Sequence, residues 1–396
     1  MPLIYSNAVL TIAAAHPTSA HIGFLGHRRE NKPTKSFELR FRCPTGEVVP
    51  VIAFEGLWPK PGREPLNNRG WTLQERLLST RILEYSSRQL RYICPSSEGR
   101  EGYTDGWGIF PEETMENKDI PTTLSESNLD LIKVWKAVVE EYTQRQLSLK
   151  ADRPLAIAGI AARIGQQLND TYIAGHWLST LPIDLFWQST SALASRRPRG
   201  ESRRATPPPH PSWSLLALDY SVSLTRYEYH ADHVIKPVEL IGYEFVLQDS
   251  DSPYGTVTHA ALQLRGRLKE ARCEGETLFP YKGNMATSRI LGWANLDFKN
   301  LDFINLEMLI IEHSLPHIYV LEICGGERTE YGPRFTNALI LRREPQESST
   351  GNYSVENAPI EKYSRLGAVT LCQDNNSRLV DLDYFEDADV KTILLV

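Results

Sequence analysis

The sequence predicts an α+β fold built from a mixed first third, a helical middle region and a β-rich C-terminal region. In the middle region, apolar residues recur at three- and four-residue spacing, which is typical of helices that bury one face. In the last region, short β-branched runs alternate with Gly, Pro, Asp and Asn, which favours antiparallel strands. We place the regions at residues 1–110, 125–194 and 212–396, with residues 195–211 as a linker.

The charge, the cysteines and the apolar runs of the chain limit the classes of protein to which it can belong. The chain has 396 residues, a net charge of −6 and a pI near 6.0, which argues against a nucleic-acid binder that must neutralise phosphates. Its five cysteines are widely spaced and odd in number, which favours buried thiols in a reducing compartment. No apolar run reaches 18 residues, so we expect no membrane span. We therefore expect a cytoplasmic protein.

Residues 2–15 resemble the apolar core of a signal peptide, but they lack the basic residues that open one. A buried strand near residues 9–12 is the better interpretation.

Further on, short strands are predicted around a turn at residues 44–46. A helix is predicted from Trp71 to Leu78, because this stretch contains neither Pro nor Gly and is rich in Leu, Gln, Glu and Arg. Strands are then expected at residues 81–85 and 89–94.

Two helices are predicted in the middle region. The first spans residues 132–142, with Ser125 or Ser127 as its cap. The second begins at Pro154 and runs to Leu168. The aromatic segment 174–187 is expected to pack on both helices.

Residues 195–211 contain three consecutive prolines and several arginines, which favour an extended, solvated linker. A nuclear-import signal is the alternative interpretation of its basic residues. Beyond this linker, strands are predicted at residues 238–247, 261–268, 306–311, 318–323, 338–341 and 367–371.

Three pieces of the sequence carry a family resemblance. They are residues 1–15, with Ile4-Tyr5-Ser6-Asn7-Ala8 followed by Leu10-Thr11-Ile12-Ala13-Ala14; residues 65–79, with the specific run Arg69-Gly70-Trp71-Thr72-Leu73-Gln74-Glu75-Arg76-Leu77-Leu78-Ser79; and Gln89-Leu90-Arg91-Tyr92-Ile93-Cys94. In this order they resemble the second half of the fungal heterokaryon-incompatibility (HET) domain. Residues 1–110 are therefore expected to form a partial, TIR-like α/β HET domain. The family's upstream Ser-Tyr-x-Trp-Gly and Asp-x-x-Cys-Ile-Asn-Gln blocks do not occur in the sequence, so we expect a truncated gene model or a true partial domain.

The resemblance also implies a site. The HET domain is similar to the TIR domain, whose Trp-Cys-x-x-Glu stretch supplies a glutamate that cleaves the nicotinamide–ribose bond of NAD. Trp71 and Glu75 have the same spacing, and one helical turn places them on one face. The hypothesis is that Glu75 is the catalytic carboxylate and that Trp71 and Arg69 bind the substrate. The alternative is that Glu75 pairs with Arg69 or Arg76, or caps the helix, while Trp71 lies in the core.

No cofactor is predicted, with NAD entering only as a possible substrate. The histidine pairs His230/His233 and His313/His317 have metal-like spacing but lack a second ligand pair, so no metal is predicted.

The resemblance leads to a functional expectation, namely an allorecognition effector that triggers programmed cell death in a filamentous fungus. It would act through protein partners, self-association or NAD consumption. The alternatives are a non-enzymatic interaction module and an inactive remnant of a HET gene.

Overall fold

The computed structural model describes residues 2–25, 36–54, 64–87, 90–94, 102–103, 130–189, 210–217, 221–224, 234–235, 238–274, 277–280, 292–296, 315–326, 334–345, 360–372 and 383–396. The chain divides into two compact units, Met1–Asn128 and Leu129–Val396. Helices and strands both occur, which confirms the predicted α+β class. Most of the predicted linker lies outside the described residues. In the part of the chain that is described, no helix has the length and apolar character needed to cross a bilayer.

The first unit contains a small mixed sheet and a separate hairpin. Its elements are helix α1 (Pro2–Ser6), strands β1 (Thr11–Ala14), β2 (Ser36–Arg42) and β3 (Val48–Phe54), helix α2 (Trp71–Leu78), and strands β4 (Ile82–Tyr85), β5 (Leu90–Ile93) and β6 (Gly102–Tyr103). The sheet has the order β1-β4-β5-β6, with β1 parallel to β4 and the other pairs antiparallel. Strands β2 and β3 pair antiparallel around the predicted turn, where Gly46 has a φ of 86°. The predicted helix at Trp71–Leu78 is confirmed.

Strand β1 differs from the prediction of a buried strand. It begins at Thr11, and Ile12 is 59% exposed. The reason lies in the sheet order, because β1 is an edge strand among the residues that the structure describes. An edge strand has a neighbour on one side only, so apolar residues on it need not be covered.

The second unit begins with two helices, α3 (Leu131–Thr143) and α4 (Leu155–Leu168), close to their predicted positions. The predicted cap of the first helix is wrong. Asp130 caps it, since its carboxylate accepts a hydrogen bond of 3.1 Å from the backbone N–H of Lys133. A cap must immediately precede the first helical turn, and Ser125 and Ser127 lie several residues too early.

A hairpin of two short strands, β7 (Tyr172–Ile173) and β8 (His176–Trp177), packs on helix α3. The rings of Tyr172 and Trp177 each lie 5.7 Å from the ring of Trp135, in edge-to-face geometry. The indole N–H of Trp135 also donates to the carbonyl of Gly175 at 3.0 Å. These contacts confirm that the aromatic segment packs on the helical region. Two further short strands, β9 (Gln188–Ser189) and β10 (Val222–Ser223), pair with each other.

The rest of the second unit is a large sheet. Its strands are β11 (Val234–Ile235), β12 (Glu239–Leu247), β13 (Val257–Glu274), β14 (Thr277–Pro280), β15 (Gly292–Leu296), β16 (Leu315–Gly326), β17 (Phe335–Arg343), β18 (Lys362–Cys372) and β19 (Val390–Leu395). Five of the predicted strands are confirmed, whereas residues 306–311 lie outside the described residues. Antiparallel pairing runs from β13 through β16, β17, β18, β15 and β14 back to β13, so the sheet closes into a ring.

The two faces of this sheet carry different apolar clusters. On β17, Ala338 and Ile340 belong to one cluster, and Leu339 and Leu341 belong to the other. This alternation follows from the two-residue period of a strand. The cluster that contains Leu339 and Leu341 also contains Leu185 and other residues from the segment after α4, so this face of the sheet points outward and is covered by that segment. The cluster that contains Ala338 and Ile340 fills the inside of the ring.

Arg365 on strand β18 joins the sheet to the segment that covers it. The residue is fully buried, and its guanidinium donates to the carbonyls of Leu185 at 2.5 Å and Trp187 at 2.7 Å. The guanidinium carbon also lies 3.6 Å from the centre of the Trp187 ring. A charge this deeply buried is tolerated because hydrogen bonds and an aromatic face replace its hydration.

Replacing Arg365 with Met should lower the free energy of unfolding of the second unit by about 3 kcal/mol, because two buried carbonyls lose their donors. Urea denaturation would measure the change. The matched control is Arg342→Met on the neighbouring strand, whose side chain is 51% exposed and pairs with Glu344 at 3.1 Å. We expect the control to lose at most about 0.5 kcal/mol. Equal losses in the two variants would contradict the assigned role of Arg365.

Candidate functional site on helix α2

Helix α2 exposes one narrow face. Six of its eight residues are buried, whereas Trp71 and Glu75 are partly exposed. These two positions are one turn apart, so they project from the same side of the helix. The structure thus confirms the predicted shared face of Trp71 and Glu75. It also places Trp71 at the edge of the core, partly open to solvent, and not in its centre.

The start of helix α2 is fixed by the turn that precedes it, at Pro65–Asn68. The hydroxyl of Thr72 lies 2.7 Å from the carbonyl of Leu66 and 2.8 Å from that of Arg69. The backbone N–H of Leu66 in turn donates to the carbonyl of Ala15 at 3.2 Å. These hydrogen bonds hold the backbone before the helix in place. Arg69 lies on this backbone, two residues before Trp71, and its side chain is exposed.

The end of helix α2 is tied to the chain around strand β1. The Ser79 hydroxyl donates to the carbonyl of Glu75 at 2.6 Å, and it lies 2.8 Å from the hydroxyl of Thr11. One residue on, the Thr80 hydroxyl donates to the carbonyl of Ala8 at 3.3 Å. Both ends of the short helix are thus held by side chains, which fixes the direction of its open face.

A buried ion pair anchors the opposite face of the helix to the sheet. Arg76 pairs with Glu84 on strand β4, and Arg91 on strand β5 lies 3.5 Å from the same carboxylate. Glu84 is 1% exposed, so it lies well inside the unit. This geometry argues against the alternative that Glu75 pairs with Arg76, because the guanidinium of Arg76 is directed to Glu84.

The partner that the structure gives Glu75 is Tyr5 on helix α1. The pKa of Tyr5 is raised, first by its partial burial and then by the neighbouring carboxylate of Glu75. Tyr5 was not predicted as a site residue. Its approach to Glu75 depends on packing between two helices more than 60 residues apart in the chain, for which the sequence carries no local signal.

The site combines an indole, a carboxylate and a phenol hydroxyl on one partly open surface. A carboxylate in this setting can accept a hydrogen bond from a sugar hydroxyl or stabilise positive charge on an oxocarbenium-like carbon. An indole face can hold a cationic ring. Both capabilities are of use in the cleavage of a glycosidic bond to a positively charged ring.

Of the four histidines with metal-like spacing, His317 lies among the described residues. The described residues contain no group of three or more His, Cys, Asp or Glu that could hold a metal ion. His317 is 44% exposed and lies 3.4 Å from Glu270. The other three histidines, at positions 230, 233 and 313, lie outside the described residues.

Comparison with family models, curated proteins and solved structures gives no match for this chain.

Replacing the buried Glu84 or the partly exposed Glu75 with Gln should change the stability of the first unit by different amounts. Glu84→Gln should destabilise the first unit by about 3 kcal/mol, because it leaves buried guanidinium groups without their counter-charge. Glu75→Gln should cost at most about 1 kcal/mol, because Glu75 is partly solvated and takes no part in the buried ion pair. Hydrogen exchange of residues 71–94 would measure both losses within the first unit. A larger loss for Glu75→Gln would contradict this assignment.

Proposed function

We propose that this chain is a HET-type effector of fungal allorecognition, which triggers programmed cell death, and that Glu75 is its central functional residue. The observation that carries the proposal is the open face of helix α2, where Trp71 and Glu75 are the two partly exposed residues. They lie within the run from Arg69 to Ser79 that resembles the HET domain.

The surroundings of Glu75 support a chemical role. Its backbone carbonyl accepts from the Ser79 hydroxyl, and Tyr5 is a neighbour of its carboxylate. A neighbour of this kind limits the rotamers of the side chain before a ligand arrives, and such preorganisation lowers the cost of binding. In the proposed mechanism, Glu75 holds a ribose hydroxyl of NAD or stabilises the developing oxocarbenium charge. Trp71 contacts the nicotinamide ring, and Arg69 binds the phosphates.

A second candidate function, a non-enzymatic interaction module, is favoured by a different observation. On the β2–β3 hairpin, Phe37, Leu39 and Phe41 are alternate residues of one strand and therefore share a face. Each of these side chains is 55–57% exposed. Adjacent exposed apolar residues of this size commonly mark protein interaction surfaces. In this alternative, the hairpin binds a protein partner or a second copy of the chain, and cell death follows from assembly.

Expression in a filamentous fungus distinguishes the two functions. We expect the native chain to kill the cells and to lower their NAD content, and Glu75→Gln to do neither, because the amide cannot stabilise positive charge. Glu47→Gln is the matched control, since Glu47 is an exposed residue of the same unit, in the loop of the hairpin. It should kill like the native chain. Viability and the NAD content of lysates are measured for all three.

The variant Leu39→Ser tests the interaction module in the same cells. Under the enzymatic proposal it should leave NAD loss intact, because the hairpin takes no part in the chemistry. Death caused by Glu75→Gln but not by Leu39→Ser, at equal protein levels, would overturn the enzymatic proposal in favour of the interaction module. Survival of cells that contain the native chain would contradict the cell-death function itself.

A further inference from the structure

Residues 210–217 of the second unit form a short segment that bridges several elements, and we call it the latch segment. Most of its residues are buried, and Trp213 is fully buried. The backbone N–H of Ser212 donates to the oxygen of Val396 at 3.2 Å, and the Ser212 hydroxyl accepts from the backbone N–H of Arg365 at 2.8 Å. The latch segment is thus bonded to strand β18 and to the residue that follows β19.

The other side of the latch segment is bonded to the region around the β7–β8 hairpin. The Ser214 hydroxyl donates to the carbonyl of Ala174 at 2.6 Å. Gly175, with a φ of 103°, lets the hairpin approach closely, since a Cβ there would lie 3.3 Å from the Cβ of Leu215. The carbonyl of Trp213 accepts from the Trp187 indole at 3.0 Å. The latch segment therefore holds the outer face of the sheet and its covering segment together.

Two buried histidines contact or belong to the latch segment. His176, 1% exposed, has its Nε2 3.3 Å from the carbonyl of Trp213. A carbonyl can only accept, so Nε2 carries the proton and Nδ1 is left as a lone pair, with no hydrogen-bond partner among the described residues. His210, 8% exposed, is the first residue of the latch segment, and its Nε2 likewise lacks a described partner.

Burial disfavours a second proton on these histidines. Around His176, burial has the largest effect; Asp184 and the hydrogen bond to Trp213 oppose it, and Arg365 and Lys136 add smaller repulsions. Asp184 is itself held by Lys136 at 2.8 Å, so part of its charge is already neutralised. Burial lowers the pKa of His176 to about 4.

Around His210, burial again has the largest effect, and Arg153 adds repulsion. The pKa of His210 is lowered to about 4 as a result. Both histidines must therefore remain neutral while the latch segment is in place.

We propose that residues 210–217 are an acid-released latch, which protonation of His176 and His210 detaches from between the hairpin and the sheet. Each added proton creates a buried N–H without an acceptor among the described residues, and it places a positive charge next to an arginine. Detachment exposes both rings to water and removes these costs. The surface uncovered is the apolar outer face of the sheet, together with Trp213.

The direction of the pH dependence follows from linkage. In the detached state each histidine titrates near its ordinary pKa of about 6.5, whereas in the closed state it titrates near 4. Between these values the detached state binds more protons, so the closed state is fully favoured above pH ~6.5 and loses its advantage as the pH falls toward ~4. From pH ~7 to pH ~5, each histidine should raise the equilibrium constant for detachment about 20-fold.

Hydrogen exchange of the intact chain tests the latch, with rates corrected for the intrinsic effect of pH. We expect the amides of residues 212–217 to exchange at least ~10-fold faster at pH ~5 than at pH ~7, while those of strand β17 stay protected. A change below ~2-fold in the native chain, or an equal acceleration in β17, would overturn the proposal. This comparison needs no variant.

Variants assign the effect to the two histidines. The double variant His176→Gln/His210→Asn should lose most of the acid response, since neither new side chain titrates in this range. His259→Gln is the matched control, because His259 lies on the same sheet, is 53% exposed and pairs with Glu244 at 3.0 Å. It should keep the full response. A double variant that retains the native response would show that other groups release the segment, and the proposal would fail.

Discussion

The second unit depends on how it buries the positive charge of Arg365. Arg365 lies between the outer face of the sheet and the segment that covers it, and its hydrogen bonds run to the main-chain carbonyls of Leu185 and Trp187. An ionised group cannot be left without partners in such a place, so the covering segment must keep the conformation that presents these carbonyls. The charge thereby selects one arrangement of the covering segment over the sheet from the many that apolar contacts alone would allow.

The same constraint operates on a smaller scale in the first unit. Glu84 sits inside the sheet and takes Arg76 from helix α2 as its partner. Because helix α2 is short, one fixed residue on its inner face sets the rotation of the whole helix. Trp71 and Glu75 are turned outward as a consequence. The accessibility of the candidate site is therefore a result of where the buried charge lies, and the site would lose its geometry if that pair were broken.

The sequence predicts which residues form helices and strands better than it predicts how these elements pack in the fold. Helix α2 and the shared face of Trp71 and Glu75 follow from composition and helical spacing alone, and five strands of the large sheet follow from short β-rich runs between turn residues, whereas β11, β14, β15 and β19 do not. The exposure of Ile12 and the capping role of Asp130 do not follow. The first depends on which strand lies at the sheet edge, and the second depends on where the helix starts. Tyr5 as the partner of Glu75 is a tertiary contact without a local pattern.

The two candidate functions place different demands on the first unit. Glycosidic cleavage needs a carboxylate held within a few tenths of an ångström, which the bonds around helix α2 can supply. Assembly needs accessible apolar area, which the β2–β3 hairpin supplies. An isolated two-stranded hairpin has little stability in water, and side chains such as Phe37 and Phe41 gain free energy only when something covers them. The two features lie on different elements, so changes at Glu75 and at Leu39 affect the two demands separately. An assay in cells, where partners are present, is for that reason a stronger test of this protein than an assay of the chain alone.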